Sequence, residues 1–151
     1  MARANRTYAD PSALLKLYIH EPASAAMSAW RSRTKGALPV TPHGRLEIVN
    51  GICLAGFRKI ISAEALSDAI ASFDEDLAEG RYVDADILWR ATLRRARELS
   101  RAHTPAVGCR TLDVLHVATA IELGLRYFVT FDSRQRQLAT AAGLKPLTPS
   151  V

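Results

Sequence analysis

The sequence predicts an α/β sandwich built on a mostly parallel central sheet. Two patterns predict it. Short β-prone runs alternate with longer stretches of helical periodicity along the whole chain, the arrangement in which helices carry the backbone back across a parallel sheet. Twice, such a run is followed at once by a capping residue and a proline, Asp10-Pro11 and Thr41-Pro42, as where a strand hands over to a helix. With 151 residues, 48% hydrophobic and 23% charged, the chain has the size and balance of one domain, residues 1–151, and intrinsic disorder is excluded.

The elements follow in order. Arg6 to Ala9 reads as a strand, and a helix starts at Pro11 and runs through Tyr18. Pro22 restarts the chain into a helix over residues 23–33. Ala37 to Thr41 is a short strand, and the Thr41-Pro42 cap opens a helix over residues 43–60. Ser62 opens another, to about Glu79. Tyr82-Val83 is a short strand, and residues 86–103 have helical periodicity. Thr111 is expected to cap a helix that runs to Leu123 and stops at Gly124. Arg126 to Phe131 is the strongest strand, residues 133–142 are helical, and residues 145–148 form a last short strand.

Several classes are excluded. No apolar run approaches the roughly 18–20 residues of a membrane span. The N-terminus lacks the apolar core of a secretory signal, so a cytoplasmic location is expected. Cys53 and Cys109 lie far apart, with no Cys or His at zinc spacing, so neither a disulfide scaffold nor a zinc finger fits. Cys53, in an apolar run, is expected in the core. The formal charge is +5, and sixteen of the twenty basic residues are arginines. Arginine suits bidentate phosphate contacts, and a basic balance favours a nucleic-acid partner.

In parallel α/β sheets function gathers beyond the carboxyl ends of the strands. Asp10 and Asp132 stand directly after strands, and Asp113 stands in the first turn of an otherwise apolar helix. Glu47 lies amid Leu46, Ile48 and Val49. Singly, these acids read as caps, turn residues or solvated charges. Together, carboxylates converging on one strand-end pocket repel one another unless a hard cation sits among them, and Mg²⁺ or Mn²⁺ suits an all-oxygen site.

These residues also carry a family resemblance. Tyr8-Ala9-Asp10-Pro11-Ser12-Ala13-Leu14-Leu15 resembles the opening motif of PIN-domain ribonucleases, and more closely that of the VapC toxins of bacterial toxin–antitoxin pairs. Arg45-Leu46-Glu47-Ile48 is similar to the second acidic motif. Leu112-Asp113-Val114-Leu115-His116-Val117-Ala118 is similar to the third, and Val129-Thr130-Phe131-Asp132 to the fourth. The resemblance spans almost the whole chain and implies a PIN-like three-layer sandwich, the sheet flanked by helices. It makes Asp10, Glu47, Asp113 and Asp132 the catalytic, metal-binding acids, with Ser12 and Thr130 supporting them. Pro11 and His43-Gly44 depart from residues common in the family at those places. The activity implied is Mg²⁺-dependent hydrolysis of RNA phosphodiester bonds, with Mn²⁺ as a substitute. The implied partners are a VapB-type antitoxin and a second copy in a homodimer.

Other residues have two readings. His116, one turn after Asp113, is a proton donor or, the expected reading, a structural histidine. Arg90, Arg94, Arg97 and Arg101 share one helical face, either simply solvated or a track for RNA phosphates. Ser12 belongs to no serine-hydrolase motif, and the glycines form no phosphate-binding loop. A haloacid-dehalogenase phosphatase wants an aspartate where Ser12 stands, and a response-regulator receiver wants paired acids after the first strand. The non-enzymatic alternative is a PIN-like domain that binds RNA or a protein without cutting.

Overall fold

The computed structural model describes residues 3–151 and places the elements in the expected order. They are β1 Thr7–Ala9, α1 Pro11–Leu15, α2 Ser24–Arg33, β2 Leu38–Val40, α3 Pro42–Phe57, α4 Ala63–Ala78, β3 Tyr82–Asp84, α5 Trp89–Val107, α6 Thr111–Glu122, β4 Tyr127–Val129, α7 Ser133–Ala141 and β5 Lys145–Leu147. All pairings among the described strands are parallel.

Strand alternation builds the layers. Successive side chains point to opposite faces of a sheet. Tyr8 and Phe128 therefore share one face, their rings stacked 5.5 Å apart, and are buried with Leu99, Val117 and Leu138 from α5, α6 and α7. Ala9 and Val129 share the other, buried with Leu14, Met27, Ile48 and Phe73 from α1 to α4. The two cores, one on each face, make the expected three-layer sandwich.

The sheet is not one continuous ladder. β1, β4 and β5 form one, in the order β1-β4-β5, and β2 and β3 form a second. β2 lies beside β1 without a ladder between them. Pro39 explains the break. Leu38 N–H donates to Arg81 O, and Ala85 N–H donates to Val40 O, so residues 38 and 40 direct their backbone groups at β3. The backbone of Pro39, between them, faces the opposite edge, where proline has no N–H to give.

Local physics sets the element ends. Asp10, Thr41, Ser62 and Asp132 each accept a backbone N–H in the first turn of the helix they open. Gly124, φ +68°, takes the left-handed turn after α6. Four expectations are corrected. α1 ends at Leu15, because Lys16, Leu17 and Tyr18 donate three residues back and tighten the chain into turns. Thr111 is not the cap of α6; Arg110 holds that place, and Asp113 reaches back to the Arg110 backbone instead. α5 starts at Trp89 and continues past Pro105 to Gly108. The donor that Pro105 lacks would have met Arg101, which lies on the solvent face. Cys53 is exposed, because α3 buries Gly44, Ile48, Ile52 and Ala55 and turns residue 53 outward. Among the described residues, no helix is long and apolar enough to cross a membrane.

Candidate active site

Parallel pairing brings two of the acids to one edge. Ala9 lies opposite Val129, and Asp10 N–H donates to Val129 O at 3.0 Å. Asp10, 4% exposed, caps α1: its Oδ2 accepts the Ser12 N–H at 3.0 Å and also the Ser12 hydroxyl. Asp132 caps α7 through Oδ1, which accepts the Gln135 N–H at 2.9 Å. Asp113 comes from the first turn of α6 and is half-buried.

The three aspartates interact. Burial raises the Asp113 pKa, and the charges of Asp10 and Asp132 raise it further, against hydrogen bonding from the Arg110 backbone and the nearby His116. In a chain with twenty basic residues, none of these three carboxylates has an ion-pair partner among the described residues.

Sequence reasoning assigned nothing to Gln135, yet this fully buried residue joins all three acids. Its Nε2 donates to Asp10 Oδ1 at 2.9 Å and lies 3.4 Å from the Asp113 carbonyl. Its Oε1 accepts from the Thr130 hydroxyl at 2.6 Å. Thr130 Oγ1 in turn accepts the Asp132 N–H at 3.1 Å. A signal was present: on a helix, positions 135, 138 and 139 share a face, and Leu138 and Ala139 mark that face as core.

Glu47 is placed differently. It stands beside α6 on α3, and its Oε1 lies 2.9 Å from His116 Nε2. His116 is 1% exposed, and its Nδ1 lies 2.6 Å from the Tyr8 hydroxyl. Burial pushes the Tyr8 pKa well above its usual value, and the charges of Asp10 and then Glu47 add to this, so Tyr8 stays neutral. His43 stacks on His116 at 5.2 Å and packs against Trp89 at 5.0 Å. Burial lowers the His43 pKa to about 4, and His116 pushes the same way.

The structure thus groups Asp10, Asp113 and Asp132 with Ser12 and Thr130, while Glu47 contacts His116, whose ring stacks on His43. Among the described residues no three His, Cys, Asp or Glu side chains enclose a cation as they stand. The donor chemistry nevertheless fits a hard cation: three oxygen-only groups whose mutual repulsion has no positive partner to offset it. Arg90, Arg94, Arg97 and Arg101 are all exposed on α5, without ion pairs among the described residues. Arg97 and Arg101 line a groove of about 480 Å³ between α5 and α6 that reaches Thr111, two residues before Asp113.

Residues 7–141 match the PIN domain family. Over 145 residues, 95% of this chain and 97% of the relative, the sequence is 28% identical to Ribonuclease VapC46 of Mycobacterium tuberculosis. The fold is similar to the crystal structure of FitAcB from Neisseria gonorrhoeae, with a TM-score of 0.62 and 15% identity over 93% of this chain and 96% of that one.

Proposed function

We propose, since the chain belongs to the PIN domain family, that this protein is a VapC-type, Mg²⁺-dependent endoribonuclease and the toxin of a toxin–antitoxin pair. One observation carries the metal-dependent reading: Asp113, half-buried, stands close enough to the Asp10 and Asp132 carboxylates for their charges to oppose its own, and none of the three has an ion-pair partner among the described residues. These three would hold the ion, with Glu47 the fourth acid of the set. A bound Mg²⁺ or Mn²⁺ supplies a water of lowered pKa and offsets charge on the phosphate in hydrolysis. Ser12 holds the Asp10 carboxylate, and Thr130 supports the site through the Asp132 backbone N–H and the Gln135 amide. His116 orients Glu47 through Oε1, which leaves Oε2 to accept a proton.

The exposed arginines of α5 are read as the RNA phosphate track. Replacing Arg94 and Arg97 with Gln removes two contacts, and each phosphate contact on a single strand contributes about 0.7 to the slope of log affinity against log salt. A slope unchanged in the double variant returns the stripe to plain solvation.

The likeness to Ribonuclease VapC46 supports RNA as substrate. The same reading brings a VapB-type antitoxin that covers the acidic pocket during growth, a homodimer and a cytoplasmic location. The deciding experiment is cleavage of RNA by the wild type and Asp10→Asn, in Mg²⁺, in Mn²⁺ and in EDTA. Cleavage is expected in either metal and is lost in EDTA and in the variant. Full cleavage in EDTA would defeat the mechanism, and RNA binding without cleavage in any metal would leave the non-enzymatic reading. Expression of the protein alone is expected to arrest growth, and co-expression of its antitoxin to relieve it.

A further inference from the structure

We infer that Gln135 is the positioning residue of the acidic pocket: its side-chain amide holds the Asp10 carboxylate and ties it to the Asp113 backbone and to Thr130, which accepts the Asp132 N–H, so the acid-bearing segments keep one arrangement for a divalent cation with their charge intact. The inference rests on the metal-dependent reading above and adds to it a residue outside the acidic motifs.

The hydrogen-bond directions decide the orientation of the amide. Thr130 Oγ1 accepts the Asp132 N–H, so its proton goes to Gln135 Oε1. The NH₂ end must then face Asp10 Oδ1 and the Asp113 carbonyl, both of which can only accept. With the Gln135 N–H on Asp132, one residue binds all three acid-bearing segments: the end of β1, the first turn of α6 and the end of β4.

The residue type matters as much as the geometry. Arg134 and Arg136 flank Gln135 on α7, and both are exposed. The helix therefore turns two guanidinium groups to solvent and one amide to the carboxylates. A guanidinium there would neutralise Asp10 and compete with a cation. An apolar side chain would leave Asp10 Oδ1 without its donor and the Thr130 hydroxyl proton without its acceptor in a closed interior. A neutral donor orients a carboxylate without cancelling it, which is what a ligand's supporting residue does.

The test is Mn²⁺ binding, followed by the electron-spin signal of free Mn²⁺, in the wild type and in Gln135→Met, which keeps the volume and the backbone N–H on Asp132 and loses the side-chain hydrogen bonds. Leu138→Ala serves as control, since Leu138 lies one turn on in the same helix, fully buried in the apolar core. Gln135→Met is expected to weaken Mn²⁺ binding by roughly 10–100-fold, the range found when a ligand's hydrogen-bond partner is removed. Leu138→Ala should lower the melting temperature and leave Mn²⁺ affinity within about threefold, because it touches no acid. If Gln135→Met does not fold, Thr130→Val frees the amide from its far end and should weaken binding in the same direction. Wild-type Mn²⁺ affinity in the folded variant would overturn the role given to Gln135 and leave the metal site standing. A wild type that takes up no Mn²⁺ would overturn both.

Discussion

α6 contributes Asp113 to one cluster of ionisable groups and His116 to another, and the two meet a carboxylate in opposite ways. On one flank Glu47 faces a histidine, and the chain of Glu47, His116 and Tyr8 is closed by hydrogen bonds of 2.9 and 2.6 Å. On the other, Asp10 and Asp132 are tied by hydrogen bonds to an amide, hydroxyls and backbone N–H groups, Asp113 is met by Gln135 at its backbone carbonyl, and none of the three is ion-paired among the described residues. The first cluster is complete within the chain. The second has its geometry fixed and its charge left open. A carboxylate's neighbours, and not its burial alone, decide whether its charge is met within the chain.

The contrast can be broken most sharply at the level of activity. Asp113→Asn should lower RNA cleavage by roughly 10²–10³-fold or more, as losing a preorganised charge contact does. Glu47→Gln should cost less, roughly 10–100-fold, since His116 can still orient the amide. Single-turnover cleavage of a labelled oligonucleotide measures both, and equal losses would erase the distinction between the flanks.

The next effect is on stability, and it runs the other way. His116→Phe removes the hydrogen bonds to the Tyr8 hydroxyl and to Glu47, at a cost of about 2–4 kcal/mol in urea unfolding. Asp113→Asn, made without metal, should leave the fold as stable as the wild type or more so, because it removes a repelled charge. A destabilised Asp113→Asn would mean that the pocket is balanced after all.

The smallest effect is the most diagnostic, because pH moves the two flanks in opposite directions. The Asp113 pKa is raised by folding, so its charge costs stability once pH rises through the folded value. The gain from Asp113→Asn should therefore be present at pH 7 and vanish below about pH 4. The His43 pKa is lowered to about 4 by folding. Its share of stability is complete above about 6.5 and is lost as pH falls from there to about 4. His43→Phe should flatten the fall in melting temperature across that window, and an unchanged acid limb would show that His43 does not set it.

Much of this was legible in the chain. The strand-to-helix junctions were marked by cap and proline, and so Asp10 and the start of α3 fell where expected. Asp113 stood out because a carboxylate in an apolar helix demands a reason. Other features were hidden for physical causes. α3 is apolar nearly all round, so nothing in its pattern showed that Cys53, Leu46 and Phe57 face solvent while Ile48 and Ile52 are buried. Glu47 could be placed on a helix, but its pairing with His116 joins residues 69 positions apart, beyond the reach of periodicity. Gln135 shares a composition with Gln137 beside it. Only its phase against Leu138 and Ala139 separates the two, and that phase was not read.

The missing N–H of Pro39 has a consequence for motion. Glu47 and His43 ride on the helix that follows β2, whereas Asp10 and Asp132 are anchored in the β1-β4-β5 ladder. No ladder hydrogen bonds stitch the two sheets together, so what couples the flanks is side-chain packing and the His116–Glu47 contact across the seam. Amide exchange should register this as two separate opening units: the β2–β3 protons exchange through openings that leave those of β1 and β4 protected. On this expectation Glu47 shifts relative to Asp10 and Asp132 without the loss of any backbone ladder among the described strands.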